Sequence, residues 1–195
     1  MRPVARGFFD RPVLEVARDM IGALLVRNDR TGLRIGRIVE TEAYGPDDPG
    51  CHAARGRTER NAPMFERPGT AYIYFTYGMH WCLNAVCEQA GTPAAVLLRA
   101  VEPLEGIEAM RVARGPRISD RDLCRGPARL TQAFGLDGNQ NRADLCSGGV
   151  FIAPGERLPN EAVATSPRIG LGSKQDGRRW RFFEVDSRFV SRGRP

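Results

Sequence analysis

The sequence has almost no lysine, few histidines and no long hydrophobic run. Lys174 is the single lysine, so primary amines are limited to that side chain and the N-terminus. The two histidines and five cysteines lack the paired spacing of a zinc site or a disulfide framework. The longest apolar runs, such as Ala94–Leu98, are too short to cross a bilayer, and no apolar stretch of signal-peptide length follows the N-terminus. These absences predict no bound metal, reduced thiols and a cytoplasmic protein away from membranes.

Motifs for common cofactors and nucleophiles are missing as well. There is no glycine-rich phosphate loop, no G-x-S-x-G elbow and no H-E-x-x-H helix, so we expect no cofactor. The positive charge is more informative, because the net charge is +6 and the pI is near 9.5. An anionic partner is expected, and nucleic acid is the commonest. Arginine grips phosphate with a planar fork of donors, although the bias toward arginine also fits a GC-rich genome.

The 195 residues suit one domain, with 42 % hydrophobic and 27 % charged residues. Hydrophobic periodicity and turn residues predict the following elements. Helices are expected at Arg11–Met20 (capped by Asp10), Pro103–Val112 and Ala128–Phe134, and strands at Leu24–Arg27, Leu33–Tyr44, Thr70–Thr76, Met79–Val86, Ala94–Val101, Val150–Ala153, Arg168–Leu171 and Trp180–Val185. The order is irregular, without a βαβ repeat. It favours an α+β fold, a single domain over residues 1–195 with a curved, mostly antiparallel sheet, peripheral helices and a protruding hairpin.

Two segments around a long glycine- and proline-rich loop, residues 45–69, are candidates for chemistry. In the first, Glu40, Glu42 and Tyr44 share one face of a strand because side chains alternate. A carboxylate beside an aromatic ring can activate water next to a stacked base. Taken alone, the pattern fits a strand face with two solvated glutamates better.

The second segment is the predicted hairpin. Tyr72 and Tyr74 lie on one face, and Tyr77 occupies the turn. A tyrosine at a turn tip is exposed, and in a basic protein its natural partner is a gap in a base stack. Packing of Tyr77 back onto its own sheet is the equally favoured alternative from spacing alone.

Several long motifs in fixed order resemble the alkyladenine (3-methyladenine, methylpurine) DNA glycosylases. The resemblance is carried by Arg37–Tyr44, Arg60-Asn61, Met64-Phe65, Pro68–Thr70, Tyr72–Tyr74, Tyr77–Met79, Asn84, Val96–Gly106, Cys124–Pro127 and Arg168–Gly172. It covers nearly the whole chain. One departure is the junction Tyr44-Gly45-Pro46, which is one residue shorter than the usual Tyr-Leu-Gly-Pro of the family.

The resemblance implies a monofunctional enzyme of base excision repair that flips a damaged purine and hydrolyses its N-glycosidic bond. Glu42 would be the general base that activates water, and Arg99 would hold that water and the carboxylate. The substrates would be 3-methyladenine, 7-methylguanine, hypoxanthine and ethenoadenine in double-stranded DNA. With Lys174 outside any recognisable catalytic setting, we expect no lyase activity.

The remaining implied positions form the base pocket and the DNA contact. The pocket would be Tyr44, His52, Tyr74 and Asn84; the intercalating residues would be Tyr77 and, near it, Met64. Phosphate ligands are expected among Arg55, Arg57, Arg60 and Arg129, each of which also fits a solvated surface arginine. A monomer suffices for this task. The competing functions are a damaged-DNA binding module without catalysis and a hydrolase of N-glycosides in RNA or nucleotides.

Overall fold

A computed structural model describes residues 1–191. Eight strands and four helices form the structure, together with five short 3-10 turns. The strands are β1 Leu24–Asp29, β2 Gly32–Tyr44, β3 Ala71–Thr76, β4 His80–Val86, β5 Ala95–Glu105, β6 Val150–Ala153, β7 Val163–Ser166 and β8 Arg181–Glu184. The helices are α1 Val13–Asp19, α2 Ile107–Arg114, α3 Asp120–Leu123 and α4 Pro127–Phe134. The 3-10 turns are Arg6–Phe8, Ala62–Phe65, Gly138–Gln140, Asn160–Ala162 and Gly172–Lys174.

The strands join into one open sheet in the order β3-β4-β5-β2-β1-β6. Strand β2 is the hub: it pairs with β5 along most of its length, with β1 over its first half and with β8 over Glu40–Glu42. Strand β7 pairs with the outer side of β8. All of these pairs are antiparallel, which confirms the predicted α+β fold with an antiparallel sheet. Register shifts in the β2–β5 ladder near Glu40 mark irregular pairing, which bends a sheet locally.

The two faces of the sheet have different tasks because side chains alternate along each strand. One face packs against the helices: Ile38, Leu83 and Leu98 belong to the main hydrophobic core, which also contains residues of α1, α2, α3 and α4. The opposite face carries the polar and aromatic residues of the central strands. A smaller buried cluster supports it, made of Cys51, Ala53, Met64, Tyr72, Val86 and Ala95.

Gly36 in β2 is needed for a close approach between layers. A Cβ atom at this position would lie 2.6 Å from Val101 Cγ2 and 3.1 Å from the ring of Phe134. Contacts that short require the neighbours to move, so the central strand can lie directly under α4 only with glycine here.

Three of the predicted elements are wrong. The helix predicted at Pro103–Val112 begins at Ile107, because β5 runs on to Glu105 and pairs Pro103 with Gly36 of β2. Leu104 is therefore an exposed strand residue instead of a buried helix residue. The strand predicted at Arg168–Leu171 is irregular chain. The predicted Asp10 cap is absent: α1 starts after Pro12, with no side-chain cap.

Two elements were not predicted at all: the short helix α3 and the strand β7. The other elements lie within a few residues of their predicted bounds. All five cysteines are free thiols, and four of them are buried. Among residues 1–191, no helix combines the length and the apolar character that crossing a membrane requires. Within that same part of the chain, no three acidic, histidine or cysteine side chains converge as a metal site would require.

Candidate active site

Four neighbouring strands place the candidate residues in one row across the face opposite the helices. Strand pairing sets Glu42 of β2 opposite Leu97 of β5, Leu97 opposite Asn84 of β4, and Asn84 opposite Tyr72 of β3. Paired residues point to the same side of a sheet, so the row is fixed by register alone. Arg99, two residues beyond Leu97, points to this face as well.

Above this row lies a cavity of about 300 Å³. Its walls are Tyr44, Gly50, His52, Met64, Tyr72, Tyr74, Thr76, Tyr77, Cys82, Asn84, Leu97, Arg99, Pro127, Ile169, Gly170 and Leu171. All four tyrosines of the chain are among them. A partly apolar cavity with a few convergent polar groups is the usual form of a small-molecule site, and its aromatic walls suit a planar heterocycle.

The carboxylate of Glu42 lies directly behind the cavity wall. Its side chain has 0 % exposed surface and receives three donors. Oε1 accepts from the Ile169 N–H at 2.7 Å and lies 3.1 Å from Arg99 Nη1, while Oε2 accepts from the Tyr44 hydroxyl at 2.8 Å. Glu40 is equally buried. The interpretation of this strand face as two solvated glutamates is therefore wrong.

Arg99 links the two glutamates. Its Nε donates to Glu40 Oε1 at 2.9 Å, and Nη1 of the same guanidinium contacts Glu42. Burial alone would lower the pKa of Arg99, but the adjacent carboxylates outweigh burial and raise it. Arg99 therefore stays a cation, and it also lines the cavity.

Glu40 is held from the other side by the C-terminal part of the described chain. Arg181 Nε donates to Glu40 Oε1 at 2.6 Å, and the hydroxyl of Ser191 donates to the same oxygen at 2.8 Å. The Ser191 N–H donates to Oε2 at 2.7 Å. A buried charge needs such complete pairing, because an unsatisfied partner in a site of low dielectric constant is strongly destabilising.

His52, Tyr72 and Tyr74 form an aromatic wall. The rings of His52 and Tyr74 lie 4.4 Å apart at 76°, and His52 Nδ1 is 2.9 Å from the Tyr72 hydroxyl. His52 is exposed, but the groups packed against the inner side of its ring, helped by the charges of Arg60 and Lys174, lower its pKa to about 4. Burial raises the pKa of Tyr72 to about 12 and that of Tyr74 further still. The wall is thus electrically neutral over the physiological range.

On the other sides of the cavity, Tyr44 and Asn84 are fixed by hydrogen bonds. Burial, together with the charge of Glu42, raises the pKa of Tyr44 well above its usual value, so its hydroxyl stays a donor. Asn84 is buried, and its Nδ2 donates to the Tyr72 carbonyl at 3.1 Å. Both residues line the cavity.

The tip of the β3–β4 hairpin stands out from the rim. Tyr77 is 80 % exposed with a φ of 51°, in the left-handed region, and Met79 beside it is 68 % exposed. The alternative in which Tyr77 packs onto its own sheet does not hold. Met64 is different: it lines the same cavity, but it is only 2 % exposed and belongs to the smaller buried cluster.

The candidate phosphate ligands surround this face. Arg55, Arg57, Arg60 and Arg129 are all exposed. Arg60 donates to the Phe75 carbonyl at 2.8 Å, and its guanidinium lies 5.7 Å from the Tyr74 ring, at the base of the hairpin. Arg129 lines a second cavity of about 440 Å³ with Arg121 and Arg125, and Arg99 and Pro127 belong to both cavities.

Sequence reasoning missed four residues that hold the site together: Ile169, Arg168, Arg181 and Ser191. Glu40 was placed on the correct strand face but given no role. A signal for Arg168 and Ile169 existed, since both lie in a motif of the resemblance. The contacts of Arg181 and Ser191 with Glu40 span 141 and 151 residues of sequence, so no local pattern could reveal them.

Comparisons with known proteins agree on one family. The sequence profile of the family described as Methylpurine-DNA glycosylase (MPG) matches residues 7–188. A protein of Burkholderia orbicola is 50 % identical over 195 residues, covering 98 % of this chain and 92 % of the relative. One of Salinibacter ruber is 47 % identical, covering 100 % and 99 %, and one of Methanocella arvoryzae is 44 % identical, covering 100 % and 98 %. All three relatives carry the provisional name 3-methyladenine DNA glycosylase.

Proposed function

The chain belongs to the methylpurine-DNA glycosylase family, a family of DNA repair glycosylases for alkylated bases, and from this premise we propose how it works. It binds double-stranded DNA, takes an alkylated or deaminated purine out of the stack and hydrolyses the bond between the base and its deoxyribose. The products are the free base and an abasic site. The observation that carries this proposal is the pairing of Glu42 and Arg99 behind a cavity lined by all four tyrosines.

Base recognition rests on the aromatic walls. Tyr44, His52 and Tyr74 offer ring faces and edges to a flipped purine, and such stacking is worth about 1–3 kcal/mol per base. A methylated purine such as 3-methyladenine is a cation, which favours an electron-rich aromatic wall. A neutral His52 adds no opposing charge. On the cavity floor, Asn84 obstructs the 2-amino group of an ordinary guanine.

Catalysis rests on the Glu42 carboxylate. As the base departs, positive charge develops on the sugar, and a fixed anion in a site of low dielectric constant stabilises it. A water molecule enters between the cavity and Glu42. The Glu42 carboxylate accepts a proton from this water while the water oxygen attacks C1′ of the deoxyribose. Arg99 orients the carboxylate and the water. The electron pair of the broken bond leaves with the base, so an alkylated cation departs neutral and a neutral base such as hypoxanthine must gain a proton.

Base flipping rests on the exposed hairpin tip. Extruding a base costs a few kcal/mol of lost stacking and pairing. Tyr77 fills the gap left in the duplex and so recovers part of this free energy, and stacking of the flipped base inside the cavity offsets the remaining cost. We assign the filling of the gap to Tyr77 first, because Met64 lines the cavity but is only 2 % exposed and could enter the duplex only if the wall moved.

Backbone binding rests on the exposed arginines around the cavity. The second cavity, which is lined by Arg121 and Arg129, shares Arg99 with the base cavity. A DNA strand whose flipped base enters the base cavity therefore has its phosphates close to the second cavity. We therefore assign Arg129, with Arg55, Arg57 and Arg60 of the long loop, to phosphate contacts. One face carries all of these groups, so a monomer is sufficient.

The test compares wild type with Glu42→Gln on duplexes that contain one hypoxanthine or one ethenoadenine, and on methylated DNA. Release of free base is measured, and strand breaks are scored before and after alkali. The expected result is base release by wild type and its loss in Glu42→Gln, with duplex binding retained. Glu102→Gln is the matched control, because Glu102 lies in the same sheet but pairs with Arg37, away from the cavity.

Lyase activity is tested in the same assay. Breaks that appear only after alkali support hydrolysis alone. Breaks without alkali that vanish in Lys174→Arg would mean an amine nucleophile, since Lys174 is the only lysine and its charge reaches His52. No base release from any substrate would overturn the catalytic proposal and leave a damage-binding module. Preference for single strands, unaffected by Tyr77→Ala, would point instead to an RNA or nucleotide hydrolase.

A further inference from the structure

Arg168 is a fully buried cation at the junction of two loops that wall the cavity. Its side chain has 0 % exposed surface, as has that of Asp48, to which both Nη atoms donate. The Nη2 contact with Asp48 Oδ1 measures 2.7 Å, and Nη1 also donates to the Ala43 carbonyl at 2.9 Å. Two parallel donors to one carboxylate fix the orientation of the guanidinium as well as its position.

Two aromatic rings hold the same guanidinium from its sides. Its carbon lies 4.7 Å from the centre of the Tyr44 ring and 5.2 Å from that of Trp180. Tyr44 is both a wall of the cavity and a donor to Glu42 Oε2. The stacking of Arg168 on the Tyr44 ring therefore fixes the position of the Tyr44 hydroxyl, which donates to Glu42.

The backbone next to Arg168 reaches Glu42 directly. Ile169, the following residue, donates its N–H to Glu42 Oε1 at 2.7 Å. Asp48 at the other end of the ion pair also accepts from the Gly50 N–H at 2.8 Å, and Gly50 lines the cavity. One ion pair thus connects two of the three donors to Glu42 with the loop that leads to His52.

We propose that Arg168, held by Asp48, is a positioning residue that orients the Glu42 carboxylate through the Ile169 amide and the Tyr44 hydroxyl. The inference rests on the proposed function, because it assigns a task to the same catalytic carboxylate. Arg168 contributes no atom to the cavity wall, whereas Ile169, Gly170 and Leu171 all line it. Arg168 can therefore affect the reaction only through the groups that it positions, which are the Ile169 amide and the Tyr44 hydroxyl.

The size of the effect follows from geometry. A catalytic group displaced by about 1 Å costs about 10²-fold in rate. Lysine in place of Arg168 offers a single point charge, which cannot hold Asp48, the Ala43 carbonyl and two ring faces together. Without the Ile169 donor, Glu42 loses the backbone contact that orients Oε1, so the rate of the chemical step should fall while DNA is still bound.

The test measures single-turnover excision by Arg168→Lys, with binding of abasic duplex measured in parallel. We expect a loss of about 10²-fold in rate and unchanged affinity for abasic DNA. The double variant Arg168→Gln/Asp48→Asn guards against misfolding, because neutral partners leave no buried charge unpaired. Arg34→Lys is the matched control: Arg34 is also buried but bonds to Phe134 and Thr31, outside the cavity. It should reduce stability and leave the rate unchanged.

Hydrogen exchange at the Ile169 amide separates this inference from the proposed function. The amide should be protected in wild type and lose that protection in both Arg168 variants, while the amides of the main core stay protected. Retained protection of the Ile169 amide, or an unchanged rate of excision in folded variants, would overturn the inference. An inactive wild type would overturn the proposed function instead, and the exchange result would still decide the role of Arg168.

Discussion

Single side chains in this site each serve more than one neighbour. Arg99 spans Glu40 and Glu42 with two nitrogens of one guanidinium, and Arg168 spans Asp48 and the Ala43 carbonyl in the same way. A lysine could make only one of each pair of contacts at full strength. The preference for arginine, which composition alone could not separate from genome bias, has a structural reason at these two positions.

His52 gives a prediction about pH at the residue scale. Its surroundings lower its pKa from 6.5 to about 4, so the folded protein binds fewer protons than the unfolded chain between these values. The contribution of His52 to stability is therefore complete above 6.5 and declines as the pH falls toward 4. Between pH 5 and 8 its ring should stay neutral in the folded protein, and its titration should add no limb to the activity profile in that range.

The measurement is a titration of the imidazole resonances by NMR. With only two histidines in the chain, His80→Asn identifies the signals of His52. A His52 signal that titrates near pH 6.5 would contradict the prediction. It would mean that water surrounds the His52 ring and that the imidazole becomes protonated in mild acid.

At the scale of elements, the β3–β4 hairpin joins two tasks in one unit. Its base supplies Tyr72 and Tyr74 to the wall, and its turn carries the exposed Tyr77. The turn places Tyr77 at a φ of 51°, a conformation that costs a residue with a Cβ atom about 1 kcal/mol. Local strain retained at a tip with few contacts is typical of functional positions.

Replacement of this tyrosine should separate stability from activity. Tyr77→Gly removes the strain and, since the side chain is 80 % exposed, few packing contacts. We expect its free energy of unfolding to equal or exceed that of Tyr77→Ala, which keeps the strained Cβ, by up to about 1 kcal/mol. Both variants should lose most excision from duplex DNA.

Chemical denaturation and single-turnover excision on duplex and single-stranded substrates provide the check. If excision from single strands falls as far as excision from duplex, Tyr77 acts in the cavity instead of in base flipping. If the glycine variant is clearly less stable than the alanine variant, the turn is not strained.

The hairpin and the central strands could be predicted because their signals are local. Tyr77-Gly78 marks a turn, and the β-branched residues around Val39 mark a strand. The boundary between β5 and α2 was placed too early because Pro103, a good first residue for a helix, is accommodated at a register shift of the ladder. The alternating apolar residues of Arg168–Leu171 are typical of a strand, but here Ile169 and Leu171 face the cavity from irregular chain.

The site was harder to predict than the fold. The resemblance supplied Glu42, Arg99 and the aromatic residues, and the structure brings these into one cavity region. Burial of Glu40 and Glu42 could not be predicted from the sequence, since their partners are remote in sequence: Arg181 and Ser191 hold Glu40, and the Ile169 amide holds Glu42. A buried charge is stabilised by partners from distant parts of the chain, and the hydrophobic periodicity of a segment does not indicate which residues those partners are.

For the whole molecule, the division between the two faces of the sheet decides where DNA can bind. The helices cover one face, and the cavity, the hairpin tip and the arginines of the long loop lie on the other. Arg129, in the first turn of α4, reaches the edge of that second face through the cavity that it lines with Arg99. The net charge of +6 favours association with any DNA, while the cavity discriminates between bases. Affinity should therefore fall steeply as salt rises, and selectivity should change little.

Arg129→Ala should reduce the slope of log K against log salt concentration by about 1, for an undamaged duplex as well as a damaged one. The slope reports the number of phosphates from which the protein displaces counterions, and the variant would contact one phosphate fewer. Arg157→Ala is the control, because Arg157 is also exposed but lies near Asp19 of α1 and lines neither the base cavity nor the cavity of Arg129. Fluorescence anisotropy over a range of salt concentrations measures both slopes. An equal slope for Arg129→Ala and wild type would remove Arg129 from the DNA contact.

The bond between Ser191 and Glu40 has a consequence for the order in which the enzyme is made. Ser191 follows every strand of the sheet, and a ribosome adds it after all the other residues of the Glu40 network. A nascent chain can pair its strands beforehand, but Glu40 then lacks two of its donors and cannot hold Arg99 firmly. The proposed excision of bases would therefore arise only after Ser191 has been added, so that chains truncated before this residue by interrupted translation would not threaten the genome.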